Sequence, residues 1–497
     1  MQQIDPMARD ADLDSGEVLD ATSLLARHGL PASFPGSDAP VSAPAALVRW
    51  LLVGAGATGK ALCLGGAQSN NVVALEQEEV ALGDVLDLVF SPGAVLGRWP
   101  EARAGVVVVL SYDDLAGIAY QESGVVIREL KREGRSDAAD GPSPSFARKI
   151  LSAVRVNASR SLAALSCAPG RERQAMASLD VILDAAGKLA GQPDFLAGVM
   201  STPQLFPEAG DAAYLRAVEE VIHQIREGRW YQLNMLRFFK LDFSDGMIDG
   251  VLDGVMPPGW FAWRMDSAGG SWSAMVDGAS ARIMCLSPER FTSVLPDANG
   301  AWLHTYPVKG TIPRDLDPMV DRRNAEMLLR SRKDLAELHM IVDLMRNDFH
   351  RIAGQHPVTV PVEQVVRSHA NVHHLHAEVR SRISPDVSFA SLVGAICPAG
   401  SITGTPKLEV IKGIRELEGR PRGYHMGNLF YWQPDGRLDS SVLIRTITSP
   451  VPGRRGAYEL AAGSGIVVHS NPESELAEVM AKARIATAPL SQFAGCP

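Results

Sequence analysis

Cysteine is scarce in this 497-residue chain: five residues, at 63, 167, 285, 397 and 496, with no CxxC pair among them. An odd, dispersed set speaks against a disulfide framework or a cysteine zinc site and fits a reducing compartment. No block of lysine and arginine stands out, and the net charge is −9 with a pI near 5.8. A surface for nucleic acid or anionic lipid is therefore not expected. Long apolar runs are missing too; stretches such as Val106–Leu110 are strand-sized and far short of a bilayer span. The first twenty residues, MQQIDPMARDADLDSGEVLD, are acidic and lack an apolar segment, so no signal peptide is expected and the cytoplasm is the expected location. Internal repeats and low-complexity arrays are absent.

What is present is ample material for a large core: 46% of residues are hydrophobic and 21% charged. Length alone suggests roughly two to four domain-sized units. Residues 1–20 read as a disordered tail and 21–200 as a strand-rich N-terminal region, in which ALVRWLLV, NNVVALE and GVVVVLSYDD read as strands. A charged, Ser/Gly/Pro-rich link falls at 131–146, a helical stretch is expected from about 146 to 190, and residues 201–490 form the catalytic core. Within that core Leu328, Leu335, Leu338 and Val342 recur at helical spacing. Ser470-Asn471-Pro472 marks a helix start, and Leu476, Val479, Met480 and Ala483 form one apolar face behind it.

Two motifs invite false readings. Gly54-Ala-Gly56-Ala-Thr-Gly59 matches GxGxxG, and Glu76 stands where a ribose-binding acid would follow. The intervening 60–71 is too short and too glycine-rich for a crossover helix, so a hairpin with a glycine loop is expected there. Cys63-Leu-Gly-Gly-Ala-Gln68 imitates a glutaminase nucleophile elbow, but Ala61 replaces its glycine and the only His-x-Glu, at His376, is some 300 residues away. No built-in glutaminase is expected.

Two carboxylate pairs carry more weight. Asp334-Leu-Ala-Glu337 and Glu475-Leu-Ala-Glu478 each put acids at i and i+3 on one side of a helix. Facing each other, such edges offer the oxygen ligands that Mg²⁺ prefers. Either pair alone is commonplace on a solvated helix. The neighbours strengthen the case: Gly463-Ser464-Gly465 lets backbone amides approach an anion in a nest-like way, Lys482 shares the face of Glu478, and Arg445 suits bidentate carboxylate binding.

From about 205 to 487 the chain resembles the chorismate-binding enzymes, the anthranilate, aminodeoxychorismate, isochorismate and salicylate synthases. The motifs run in family order: Tyr231-Gln-Leu-Asn234, Ser287-Pro-Glu-Arg290, Tyr306-Pro-Val-Lys-Gly-Thr311, Asp334–Asp348, Val372-His-His-Leu375, Pro398–Lys407, Arg422-Gly423, Ile444-Arg445-Thr446 and Gly463–Glu478. The resemblance implies an α+β, anthranilate synthase component I-like fold, two packed antiparallel sheets with flanking helices. It implies Mg²⁺ on Glu337, Glu475 and Glu478, with Asp334 joining. It implies carboxylate contacts from Arg445, Gly463, Gly465 and Lys482, and polar lining from Ser401 and His374. His425 stands where the family often has tyrosine, with Tyr424 shifted by one.

By the same resemblance Glu289 is the general acid that protonates the departing C4 hydroxyl of chorismate. Gln232 replaces the lysine that activates water in the isochorismate and salicylate synthases, which disfavours water as nucleophile. Lys309 replaces the alanine of anthranilate synthases and resembles the aminodeoxychorismate branch, where it serves as a covalent nucleophile. That branch implies 4-amino-4-deoxychorismate as product, a separate glutaminase subunit as ammonia source, and a place in p-aminobenzoate and folate synthesis. An anthranilate synthase component I and a catalytically silent binding subunit remain the alternatives.

Overall fold

The computed structural model describes residues 17–32, 43–57, 62–64, 70–81, 84–85, 87–88, 90, 94–98, 100, 102, 105–120, 145–157, 162–191, 202–242, 260–262, 264–265, 272–278, 281–315, 317–368, 372–450 and 458–487. The expected tail (apart from its last residues), most of the 131–146 link, Gly59 and Gln68 lie outside them.

Its described strands pair antiparallel in one ladder that doubles back on itself. One layer runs from Val308–Pro313 through Val372–Ile383, Gly300–Thr305, Arg290–Asp297, Leu438–Val442 and Asn428–Trp432 to Val106–Leu110. The long strand Phe146–Asn157 carries the ladder across to Asn70–Val80. The second layer continues through Leu62–Leu64, Trp272–Asp277, Ala281–Ser287, Thr446–Pro450 and Tyr458–Val467 to Gln232–Asp242. Strands from the N-terminal region thus sit inside the same sheets as strands from residues 201–490.

Alternation shows why two layers form. Val107 and Val109 join Leu62, Leu64, Ile283, Cys285 and Leu429 in the core between the sheets. Val106, Val108 and Leu110 point the other way, into the core beneath the helices. All five residues of this strand are fully buried, which explains a run without polar alternation. The α+β reading, two antiparallel layers with outer helices, holds.

Three sequence expectations fail in the N-terminal half. ALVRWLLV is not a strand but part of helix Ala43–Ala57. An apolar run buried all round has no period to distinguish helix from strand. Gly54 belongs to this helix and not to a glycine loop; a side chain there would overlap the carbonyl oxygen of Ile182 on helix Glu172–Ala190. The hairpin expected over 60–71 does form, Leu62–Leu64 pairing antiparallel with Asn70–Val80. Residues 146–157 and 162–167 are strands, and the helix begins only at Glu172. Glu76, the supposed ribose acid, lies within a strand and accepts hydrogen bonds from Gln174 (2.7 Å) and Ser178 (3.4 Å), with Arg171 at 3.4 Å.

The C-terminal expectations fare better. Leu338 and Val342 are buried on helix Arg332–His350, and Leu328 on a separate helix, Pro318–Arg330. The break is Ser331, whose hydroxyl accepts from the Asp334 N–H and caps the second helix. Helix Pro472–Thr487 starts where expected, with Asn471 accepting from the Ser474 N–H at 2.9 Å. Val479 and Ala483 are fully buried beneath it.

Candidate active site

The site gathers where the chain crosses between layers. Ser287 ends a strand of one layer, Arg290 begins a strand of the other, and Glu289 lies in the crossing. Its carboxylate accepts a hydrogen bond from Ser401 Oγ at 2.8 Å. Enclosure by protein pushes the Glu289 carboxyl above its ordinary value, and Ser401, Lys309 and Lys482 pull it back. Arg290 is not its partner: that guanidinium grips Asp439 at 2.5 and 3.0 Å and stacks over Trp272 and Tyr306.

Lys309 reaches the site from strand Val308–Pro313. The register of this strand against Val372–Ile383 slips between Lys309 and Thr311, a bulge with Gly310 at φ 69. A bulge re-aims the side chain beside it, and this backbone region suits glycine. His374 Nδ1 lies 3.3 Å from the Gly310 carbonyl oxygen, so the imidazole clasps the bulge itself. The Lys309 ammonium stands 3.5 Å from Glu337 Oε2, with side chains 19% and 24% exposed. Its charge also acts on Glu289 and Glu478.

The second layer supplies the opposite wall. Lys482 Nζ donates to the Gly463 carbonyl at 2.8 Å and pairs with Glu478 at 2.6 Å. Although burial pushes Glu478 upward, Lys482, Lys309 and Lys333 together hold it below the usual value. Glu475 accepts from Ser470 Oγ at 2.7 Å. Asp334 leans on the Gly310 backbone, 2.9 Å from where a side chain there would begin.

Gly463 and Gly465 form no nest. Both lie in strand Tyr458–Val467, paired with Leu236 and Asn234, and neither has the positive φ a nest requires. Their value is close approach: a side chain at Gly465 would strike the Gln232 amide, and one at Gly463 the Leu236 side chain, the Met235 carbonyl and the Asn234 side-chain oxygen. Gln232 is 1% exposed and forms the floor there.

Arg445 sits at φ 48, a left-handed conformation that a non-glycine residue holds only under constraint. Burial pushes its guanidinium below the usual arginine range. Burial, with the nearby charge of Arg445, brings Arg264 down to about 10. His425 is buried edge-on to Phe238, and burial lowers its imidazole to about 3, so it is a neutral ring. Tyr424 packs into the inter-sheet core against Phe146 and does not line the site.

The four acids do not stand as a ready cage: among the described residues no three His, Cys, Asp or Glu side chains converge as an ion's ligands. Their chemistry nevertheless suits Mg²⁺, being hard carboxylate oxygens. Ammonium groups already stand against Glu337 and Glu478, which marks the same negative potential. Sequence reasoning missed Tyr214, whose hydroxyl lies 3.3 Å from Ser464 Oγ and near the charges of Glu475 and Glu478. It missed the Arg422–Glu418 pair as well, although the i,i+4 spacing was visible.

The profile of chorismate binding enzymes matches residues 119–488. The chain belongs to that family. Aminodeoxychorismate synthase component 1 of Salmonella typhimurium is 42% identical over 206 residues, 41% of this chain and 43% of that protein. The Escherichia coli protein of the same name is 35% identical over 268 residues, 54% of each chain. The chain thus spans about half the length of these curated relatives. The crystal structure of anthranilate synthase component I from Streptococcus pneumoniae superposes with a TM-score of 0.62 at 20% identity, covering 84% of this chain and 92% of that one. At that identity the likeness speaks for the fold. Among the described residues no helix is long and apolar enough to cross a membrane.

Proposed function

We propose that the chain is the large subunit of an aminodeoxychorismate synthase, converting chorismate and ammonia to 4-amino-4-deoxychorismate and water. The observation that carries this reading is the place of Lys309, a half-buried amine on a glycine bulge, 3.5 Å from Glu337 and within the field of Glu289. In this reading the Lys309 amine attacks C2 of the ring. Both conjugated ring double bonds shift, C1=C2 to C1=C6 and C5=C6 to C4=C5, and the C4 hydroxyl leaves as water with a proton from Glu289. Ammonia then attacks C4, both double bonds shift back, and the C2–N bond to Lys309 breaks. A carboxyl raised by enclosure suits the acid's task, because it retains its proton closer to neutral pH.

Glu337, Glu475, Glu478 and Asp334 would hold Mg²⁺, and the ion when bound supplies positive charge to a substrate carboxylate. Arg445, Lys482, His425 and the strand edge at Gly463 and Gly465 would receive the other carboxylate. Gln232 offers no base to a competing water. His374 fits better as the clamp on the Lys309 bulge than as a proton carrier. Ammonia would come from a separate glutaminase subunit. Cys63, the one elbow-like cysteine, is fully buried with its thiol pushed up to about 12, unsuited to a nucleophile. The product would feed p-aminobenzoate and folate, in the cytoplasm.

A second reading has its own support: anthranilate synthase component 1 2 of Haloarcula marismortui is 36% identical over 215 residues. One assay separates them, chorismate with Mg²⁺ and an ammonium salt, products resolved by regiochemistry. A 4-amino product lost in Lys309→Ala supports the proposal. Undiminished 4-amino product in that variant removes the covalent step. A 2-amino product, or anthranilate with pyruvate, decides for the rival, and no turnover at saturating ammonium decides for a silent binding subunit.

A further inference from the structure

We propose that the buried Asp348–Lys407 ion pair is a positioning device for Glu289, acting through the loop that carries Ser401. Lys407 Nζ lies 2.6 Å from Asp348 Oδ2 and 3.2 Å from the Ile396 carbonyl oxygen, with side chains 9% and 3% exposed. Ile396 is the last residue before the loop and Lys407 the first after it. One ammonium therefore ties both ends of segment 397–406 to the final turns of helix Arg332–His350, the helix that also carries Asp334 and Glu337.

Between the tied ends the loop has little freedom. Gly400 presses on Leu344 and Met345 of the same helix, where a side chain would collide. Thr403 Oγ1 donates to the Ala399 carbonyl at 2.9 Å. Backbone amides of Tyr231 and Asn234 donate to the carbonyls of Thr405 (2.8 Å) and Thr403 (2.7 Å), fastening the loop to the second layer. Ser401 stands within the single 3-10 turn Gly400–Ile402, and its hydroxyl meets Glu289. The charged groups acting on Glu289 are Lys309 and Lys482, besides the Ser401 hydrogen bond. Those acting on the pair's carboxylate are Lys407 and Arg351, with the Cys397 thiol close by.

A buried pair is a poor stabiliser, because apolar side chains of similar volume often serve as well. What the ammonium adds is direction: several N–H donors fix two acceptors in one register, which packing alone does not. The helix of Asp334 and Glu337 and the proposed acid are in this way held in a common frame. The inference concerns Glu289's surroundings and rests on the proposed function only for its catalytic consequence.

The test is a ¹³C-carboxylate NMR titration of Glu289 in the full chain, assigned with Glu289→Gln. Ser401→Ala should raise the midpoint, since a hydrogen bond to the ionised form is lost, by roughly tenfold in protonation ratio. Lys407→Met should raise it by a similar amount, and Ser401→Ala/Lys407→Met no further. The double variant Asp348→Leu/Lys407→Met leaves no orphan charge, so it guards against simple unfolding; it too should show the raised midpoint. An unmoved midpoint in the folded Lys407 variants, an unmoved one in Ser401→Ala, or additive shifts in the combined variant would overturn the proposal. If the midpoint moves but the high-pH limb of kcat does not follow, the acid role fails while the positioning stands.

Discussion

The bulge beneath Lys309 yields the sharpest test of how the site is built. Gly310→Ala adds one methyl group at φ 69, 2.7 Å from Leu328 Cδ1 and 2.9 Å from Asp334 Cγ. The left-handed backbone costs about 1–2 kcal/mol for a residue with a β-carbon, and the crowding about 1–3 kcal/mol more. A smaller entropic gain of about 0.4–1 kcal/mol offsets part of this. The total, about 1–5 kcal/mol, is shed most easily by shifting the bulge, and Lys309 and Asp334 move with it. A misplacement near 1 Å costs on the order of 10²-fold in rate. Single-turnover amination of chorismate should therefore fall about a hundredfold, while the denaturation midpoint drops only modestly. Gly354→Ala supplies the control: φ is 60 there and nothing lies within 4 Å of the new methyl. It carries the strain without the aim, so its rate should match the parent. Parent-like turnover in Gly310→Ala would refute the idea that the bulge directs the amine.

Three other outcomes follow from the same geometry. A general acid must hold its proton, so kcat should fall as pH rises through the raised Glu289 value, and Glu289→Gln should lose about 10²–10⁴-fold with that limb gone. His425, neutral down to about 3, binds fewer protons folded than unfolded between that pH and its ordinary 6.5. Stability should accordingly decline as pH falls below 6.5, by up to about 2 kcal/mol at pH 5. Urea unfolding of His425→Phe should lack this contribution. Arg422 and Glu418, each 1% exposed, lock together with the Ile402 and Asn234 carbonyls, so Arg422→Met should cost about 3–5 kcal/mol in chemical denaturation.

Where one face of an element meets water, the chain was readable. The helices that carry Asp334 and Glu475 show their buried positions at helical spacing, and the acids fall within those helices. The buried run 46–53 carries no such signal, and its helix became visible only from its packing against Glu172–Ala190. Strand Phe146–Asn157 sets its polar residues, Arg148, Lys149, Ser152, Arg155 and Asn157, at no two-residue period, and the helix after it drew the whole stretch into one reading. Glu289 and Ser401 are 112 residues apart, and no local pattern announces their 2.8 Å hydrogen bond. Family order named both residues; only the fold makes them neighbours. Asp348 and Lys407 stood in recognised motifs without a stated purpose, because partnership across 59 residues leaves no periodic trace.

Strand Val106–Leu110 has a practical consequence for anyone wishing to shorten or recombine this protein. It bridges Asn428–Trp432 and Phe146–Asn157, while Leu62–Leu64 bridges Asn70–Val80 and Trp272–Asp277. Excising everything before residue 200 would strip the neighbours from Asn428–Trp432 and Trp272–Asp277, baring raw hydrogen-bonding margins that invite aggregation. Chimeras with relatives must exchange those early strands together with the late ones they zip against, however far apart the two lie in the gene.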